Sequence, residues 1–289
     1  MMNSEDTDYK IVGVDLGGTN VTAGVVDGDR ITKKTQVDIS ADESKEKVIS
    51  EVKESISNIW SGDIDGIGMG VPSLVDSKKG IVTDVINIPS WERVHLKEIL
   101  EDEFEVPVYI NNDANCFAVG EKYFGKGKDI ENMVGLIIGT GLGAGIIANG
   151  HLYSGEYCGA GEFGMIKYKD KNYESYCSGT ALQEIHNIKG ERLYEKAENN
   201  DEESLQIFQK FGKELGEAIK TILYSLAPEM IILGGSVSNS TKYFLSTVKQ
   251  ELEGFPYQNL VDNLQIEISE VENISIYGAA ALYLDYINK

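Results

Sequence analysis

Two aspartates stand where short apolar runs stop. Asp15 interrupts VGVDLGG just ahead of Gly17-Gly18-Thr19-Asn20, and Asp113 ends VPVYINND just ahead of ANCFAVGE. A carboxylate fixed at a strand end suits two tasks in phosphoryl transfer. One is to hold the metal that accompanies a polyphosphate, directly or through water, which fits Asp15. The other is to accept the proton of an attacking hydroxyl, which fits Asp113. Each has a plainer reading. Asp15 can accept hydrogen bonds from the glycine turn after it, and Asp113 can cap a helix starting at Ala114.

Three glycine turns follow apolar runs: Gly17-Gly18-Thr19-Asn20, Gly139-Thr140-Gly141-Leu142-Gly143 and Gly234-Gly235-Ser236. Successive backbone N–H groups with no Cβ in the way form a concave anion site. Two such turns on facing lobes can clamp a polyphosphate, although each alone also reads as an ordinary hairpin turn. Two look-alikes fail. GTGLGA fits a dinucleotide fingerprint, but the following GIIANG continues as strand where a helix is required. The run Gly120 to Lys126 imitates a phosphate-binding loop, yet Gly127 stands where Ser or Thr should meet magnesium, and no strand precedes it. Glu162 in GAGEFGM, Glu174 in NYESYCSG and Asn87 in INIPSW are further polar candidates, each equally readable as a solvated side chain.

These residues need a frame. The runs IVGVDLG, VTAGVVD and ITKKTQVDI, separated by glycine turns, predict a three-strand meander. From Ser40 the spacing of Val48, Val52, Ile56 and Ile59 or Trp60 predicts a helix. IDGIGMGV and VPVYI predict further strands. VGLIIGTGLGAGIIANGHLY (134–153) repeats the strand, turn, strand, turn, strand pattern of VGVDLGGTNVTAGVVDGDRI (12–31). After it come an amphipathic helix carrying Leu205, Phe208, Phe211, Leu215, Ile219, Ile222 and Leu226, a strand at MIILGG, a helix near 242–252, a strand at QIEI and a terminal helix in YGAAALYLDYI. Such a duplication predicts two similar α/β lobes facing each other across a cleft. The uncharged stretch 133–150 imitates a membrane span, but its glycine breaks read as two buried strands joined by a turn.

Composition narrows the partners. In 289 residues there are 26 Lys plus Arg against 47 Asp plus Glu, a net charge of −21. That field repels phosphate backbones and anionic lipid, so neither nucleic acid nor a membrane surface is expected as a partner. It also opposes ATP, whose charge must be offset by backbone amides and Mg2+. The start, MMNSEDTDYK, has no basic or apolar secretory region, and Cys116, Cys158 and Cys177 are an odd, widely spaced set. Both point to reduced thiols in a cytoplasmic protein.

In order and spacing, VGVDLGGTN, GIGMGVPSLVD, INNDANCFAVGE, GLIIGTGLGAGII, GAGEFG and MIILGGSVS resemble the ROK family of sugar kinases, repressors and open reading frames, over nearly the whole chain. The resemblance implies an α/β fold of two RNase H-like, actin-like ATPase lobes with the active site in the cleft between them. It implies a smaller lobe over 1–113, rejoined by a C-terminal helix at about 273–289, and a larger lobe over 114–272. Asp15, Gly17, Gly18, Thr19 and Asn20 would form the first phosphate segment, with Asp15 near Mg2+. Gly139, Thr140 and Gly141 would form the second, with Gly234 and Gly235 by the adenosine. Asp113 matches the family's base, which activates a sugar 6-hydroxyl toward the γ-phosphate of ATP. Asn112, Glu162, Glu174 and Asn87 match positions that hydrogen-bond the sugar. A homodimer is the family's habit.

The departures are specific. Met165 stands where many members have a histidine, and KYKDKNY (167–173) replaces their cysteine-rich run, so no structural zinc is expected. GVPS, with Ser73, replaces GxPG. The leading reading is an ATP-dependent hexose kinase acting on glucose, with a β-glucoside or an N-acetylhexosamine as the alternative sugar. A catalytically inactive sugar-binding member is the alternative of another class. A repressor is disfavoured, because only about ten residues precede the first strand, where repressors place a helix-turn-helix.

Overall fold

The computed structural model describes residues 9–85 and 87–289. The first run of elements is β1 (Lys10–Leu16), β2 (Asn20–Asp27), β3 (Arg30–Asp38), α1 (Lys45–Ser57) and β4 (Gly66–Val71). Three short strands follow, β5 (Leu74–Asp76), β6 (Ile81–Thr83) and β7 (Arg93–His95), then α2 (Leu96–Phe104), β8 (Val108–Asn112) and α3 (Asp113–Phe124). The second run opens with β9 (Met133–Ile138), β10 (Leu142–Ala148) and β11 (His151–Tyr153). A small hairpin, β12 (Lys167–Tyr168) and β13 (Lys171–Asn172), leads into α4 (Glu174–Cys177), α5 (Gly179–His186), α6 (Gly190–Glu198) and the long α7 (Glu202–Leu226). The chain ends with β14 (Met230–Gly234), α8 (Thr241–Leu252), α9 (Gln258–Asn263), β15 (Gln265–Ile268) and α10 (Ile274–Ile287).

The duplication legible in the sequence is a duplication of sheets. One has the order β3-β2-β1-β4-β8 and the other β11-β10-β9-β14-β15. In each, three antiparallel strands are extended by two parallel ones. The charge-free stretch 133–150 is the β9–β10 pair, buried inside the second sheet. Among the described residues no helix is long and apolar enough to cross a membrane.

Packing explains why the parallel strands are so rich in glycine. The helix α10, last in the chain, lies on β1 and β4 of the first sheet, while α3 lies on β9 and β10 of the second. The two helices also cross each other at Gly278, where a Cβ would run into the Cys116 carbonyl. A Cβ at Gly68 would likewise meet the backbone of Ala279. Close helix approach of this kind needs the smallest side chain. Separate apolar cores fill the outer faces, one around Trp91, Ile56 and Leu100, the other around Phe208, Phe244 and Phe255.

One boundary differs from expectation. The first helix begins at Lys45, capped by Ser44, whose hydroxyl oxygen accepts from Lys47 N–H at 3.3 Å. Ser40 is held elsewhere: its N–H and hydroxyl both donate to the Glu51 carboxylate, at 2.9 and 2.7 Å.

Candidate active site

Strand register brings the two aspartates to one edge. In the parallel trio, Asp15 of β1 pairs with Gly70 of β4, and Gly70 pairs with Asn111 of β8. The carboxyl ends of three strands therefore present Asp15 and the segment Asn111-Asn112-Asp113 side by side, where ligands of open α/β sheets bind. At the head of α3 the capping residue is Asn112, not Asp113. Asn112 has extended dihedrals, and its Oδ1 accepts from Ala114 N–H at 2.8 Å and Asn115 N–H at 3.3 Å. The Asp113 Oδ1 also accepts from Ala114 N–H, at 2.8 Å, while among the described residues its Oδ2 accepts no hydrogen bond.

Asp113 is reached by solvent yet surrounded by protein, as the floor of a cleft is. Burial pushes its carboxyl up to about 6, against the hydrogen bond from Ala114, and the charges of Asp15 and Glu162 add to the rise. Asp15 is half-buried, and burial raises its carboxyl too, opposed by the Ser275 hydroxyl at the head of α10. Glu162 is raised by burial and by Glu174. Four carboxylates thus share one neighbourhood, and among the described residues no cation figures among the groups acting on Asp15, Asp113 or Glu162. Such a set costs free energy when bare and favours a ligand bringing hydroxyl donors or a hard cation.

The glycine turns split their amides between structure and free donors. Gly17 N–H donates to the Asn20 carbonyl at 2.8 Å, and Gly139 N–H to the Gly141 carbonyl at 3.1 Å. Among the described residues, the N–H groups of Gly18, Thr19, Thr140 and Gly141 have no protein partner. Asn20 Nδ2 donates to the Thr19 hydroxyl at 3.2 Å, holding the first turn. Asn87 lies against that turn, so close that a Cβ on Gly18 would come within 2.8 Å of the Asn87 Cβ. Asn87 is exposed there and far in sequence from the other sugar candidates, next to the phosphate segment.

Glu174 lies on the second turn. Its Oε2 accepts from Leu142 N–H at 2.9 Å, and a Cβ at Gly141 would run into that oxygen and push it aside. Beyond this turn a cavity of about 1070 Å3 opens, lined by Gly139, Thr140, Gly179, Thr180, Gln183, Lys189, Tyr194, Ser236, Val237 and Asn239 among others. The lining stops at Thr140, and Asp15, Asp113 and Glu162 lie outside it, in the open part of the cleft. Gly235 turns the chain from β14 with φ +83°. Gly234 has a different place: it is buried, and a Cβ there would enter the Phe117 ring. Its contribution is to let α3 pack on the sheet.

Several residues of the site gave no signal in the sequence reading. Thr180, Gln183, Lys189 and Tyr194 reach the cavity from α5, α6 and the turn between them. The SGTA run was the one available cue: Ser178 caps α5 by accepting from Ala181 N–H at 3.0 Å, and Gly179 N–H donates to the Gly139 carbonyl at 2.7 Å. Asn111 and Asn115 were also missed. Asn111 Nδ2 donates to the Ser154 hydroxyl at 3.0 Å, and Asn115 Nδ2 to Asn111 Oδ1 at 2.9 Å and to the Cys158 carbonyl at 3.4 Å. Together they fasten the loop leading to Glu162 onto the strand end that carries Asp113.

Paired sheets, two glycine turns and a strand-end aspartate match one known family. The family model described as ROK family matches residues 11–286. The chain belongs to the ROK family. Over 96% of its length it is 28% identical to the glucokinase of Thermotoga maritima, 98% of which is covered. It is 30% identical to the beta-glucoside kinase of Listeria monocytogenes, over 97% of this chain and 99% of that one. The crystal structure of a ROK family glucokinase from Streptomyces griseus in complex with glucose and AMPPNP aligns with a TM-score of 0.78 and 26% identity, over 94% of this chain and 98% of that chain. The ROK fold is the two-lobed, actin-like ATPase arrangement, and the two matching sheets are its halves.

Within this ROK chain, residues 165–177 do not fit a zinc site. Cys177 is buried, with its thiol pushed up by burial and by Glu214, and Met165 is 61% exposed. Among the described residues no group of three or more His, Cys, Asp or Glu lies together as a metal set. Ser73 of GVPS donates its hydroxyl to the Thr83 carbonyl, closing the β5–β6 hairpin.

Proposed function

We propose that this ROK chain is an ATP-dependent sugar kinase that transfers the γ-phosphoryl group to the 6-hydroxyl of a hexose, glucose first, with Asp113 as general base. The observation that carries the reading is the Asp113 carboxylate. Its Oδ1 accepts from Ala114 N–H while its Oδ2 has no partner among the described residues, it is exposed, and it is raised to about 6 so that it can both hold and release a proton near neutrality.

In this reading ATP lies with its base in the cavity beyond Gly139 and Gly179, and its phosphates run along the free amides of Thr140 and Gly141 toward those of Gly18 and Thr19. Asp15, with no basic partner among the described residues, is the residue that would hold Mg2+ on the polyphosphate, and that cation would offset the like charges around it. The sugar fills the open part of the cleft between Glu162, Glu174, Asn87 and Asn112. As the 6-oxygen bonds to the γ-phosphorus and ADP leaves, Asp113 takes the hydroxyl proton. Positioning and charge neutralisation supply most of the rate, since the transferred group is loosely bonded at the transition state. In this proposal residues 1–113, of which 1–8 and 86 lie outside the described residues, form one closing body with 273–289, and 114–272 form the other.

The pH profile tests the base. Because the raised carboxyl must be ionised to act, kcat/KM should be level above about 6 and fall about tenfold per pH unit below it. A profile level from pH 5 to 8 would remove Asp113 from that role.

A coupled ADP-release assay with Mg2+ over glucose, mannose, fructose, N-acetylhexosamines and cellobiose tests the substrate. Glucose is expected to give the largest kcat/KM, and turnover with none of them would favour a sugar-binding protein without catalysis. One observation favours a β-glucoside instead: the exposed Met165 thioether, which accepts from Asn172 Nδ2 at 3.8 Å, offers an apolar surface near Glu162 for an aglycone. A larger kcat/KM for cellobiose than for glucose would select that reading.

A further inference from the structure

The hairpin β12–β13 holds a cluster that phosphoryl transfer itself does not require. Its two-residue turn places Lys169 in the left-handed region at φ +52°, and the side chain reaches across to α7. There both oxygens of Glu214 accept from Lys169 Nζ at 2.6 Å, and Glu214 Oε2 also accepts from the Tyr168 hydroxyl at 2.9 Å. The Glu214 side chain is only 9% exposed, while that of Lys169 is 46% exposed, so the carboxylate is withdrawn from water and the ammonium reaches it from the surface. The rings of Tyr168 and Tyr176 each lie 5.0 Å from the Lys169 ammonium.

The cluster leads directly to the cleft. Tyr168 stacks on Tyr173 with ring centres 4.4 Å apart and planes 18° from parallel. The Tyr173 hydroxyl is 2.8 Å from the Thr221 hydroxyl, and Tyr173 N–H donates to the Ile166 carbonyl at 3.1 Å. Tyr176 is tied back to the hairpin through Asp170. Asn172 caps the same turn, its Oδ1 accepting from Ser175 N–H at 3.0 Å and from the Ser175 hydroxyl at 2.6 Å. Tyr173 and Tyr176 thus fix α4 on both sides of Glu174, the carboxylate that sits on Leu142 N–H.

We infer that Glu214, with Lys169 and Tyr168, is a positioning residue. It clamps the hairpin to α7 so that Glu174 stays on the 139–142 turn and meets the sugar in a fixed place. A buried carboxylate held by an ammonium and a phenol gives this directional hold, because losing those donors leaves its charge without solvent or partner. The inference rests on the sugar-kinase reading for its effect on the reaction, but its structural half can be measured without turnover.

The test uses the full chain with Glu214→Gln, which removes the charge and keeps the shape. Lys169→Asn is the second variant, because Asn tolerates a left-handed backbone. Lys169→Arg is the rescue. Amide hydrogen exchange at Leu142 should speed up by about tenfold in the first two variants and return toward the parent rate in Lys169→Arg. The KM for the sugar should rise about tenfold, with KM for ATP within about twofold of the parent and kcat little changed. Unchanged exchange at Leu142 overturns the inference whatever the activity. Faster exchange with both KM values unchanged overturns it as well, since Glu174 would then be displaced without consequence. If the parent phosphorylates no sugar, the kinase reading fails, and exchange at Leu142 alone still decides whether the clamp exists.

Discussion

Replacing Asp113 by alanine should lower kcat by about 10^2- to 10^4-fold while leaving the affinity for ATP close to that of the parent. That is a loss of about 3–5 kcal/mol of transition-state stabilisation, the scale of a positioned base. The separation between kcat and nucleotide affinity follows from the layout. The cavity assigned to the adenosine is lined by Gly139 and Thr140, by the α5–α6 region and by residues within 236–240, and it does not include Asp113. Removing the charge alone, with Asp113→Asn, should act on stability in the opposite direction. The folded-state carboxyl is raised above its ordinary value of 3.8, so ionising it opposes folding. That penalty appears as pH rises from about 4 to about 6 and is complete above. Asp113→Asn should therefore raise Tm at pH 8 and leave it almost unchanged at pH 4. A thermal scan at the two pH values checks this, and a lower Tm at pH 8 would mean that the carboxylate is a structural cap.

The second large effect is expected at Gly235. Its φ of +83° is a conformation that a side chain resists, and a Cβ there would lie 2.5 Å from the Ile138 carbonyl oxygen and 2.7 Å from its carbon. Gly235→Ala combines a left-handed backbone penalty of about 1–2 kcal/mol with overpacking of about 1–3 kcal/mol. Relief requires β14 to move away from β9, and this widens the turn at Gly139 and the floor beneath Ser236. Denaturant titration should show a loss of about 2–5 kcal/mol, and KM for ATP should rise by more than about tenfold in whatever folded protein remains. Parent-like stability and KM together would show that the turn is not held as described.

The sequence conveyed the sheets well where local pattern and burial coincide. The apolar runs bounded by glycine turns in 10–38 become β1, β2 and β3, which pair in a meander, and the isolated QIEI run becomes β15 by pairing with β14. The terminal helix expected at about 273–289 forms over Ile274–Ile287. The short strands β5, β6 and β7 gave no comparable signal, since three residues cannot show a period and their pairing is set by the Trp91 core. The hairpin in KYKDKNY was hidden for the opposite reason: it is a polar run whose order comes from a carboxylate on α7, more than forty residues away.

The candidate site divides in the same way. Asp15 and Asp113 stood out because a charge ending an apolar strand is costly without a use. The cap at the head of α3 was ambiguous between Asn112 and Asp113, because both side chains can accept from Ala114 N–H, and only the dihedrals of Asn112 decide it. Lys189 and Tyr194 could not be found from pattern, because helices distant in sequence reach the cavity only through the topology. The grouping of sugar contacts came from family resemblance. Even so, Glu174 carries a second task on Leu142 N–H, and Asn87 lies against Gly18.

The most direct test of the account is to follow 31P signals of Mg-ATP and glucose with the parent protein and, in a matched sample, with Asp113→Asn. The account predicts that the γ-phosphate signal is replaced by that of a hexose 6-phosphate together with ADP in the parent sample, and that the variant leaves ATP intact over the same hours. Phosphate appearing on the sugar at the same rate in both samples would contradict it.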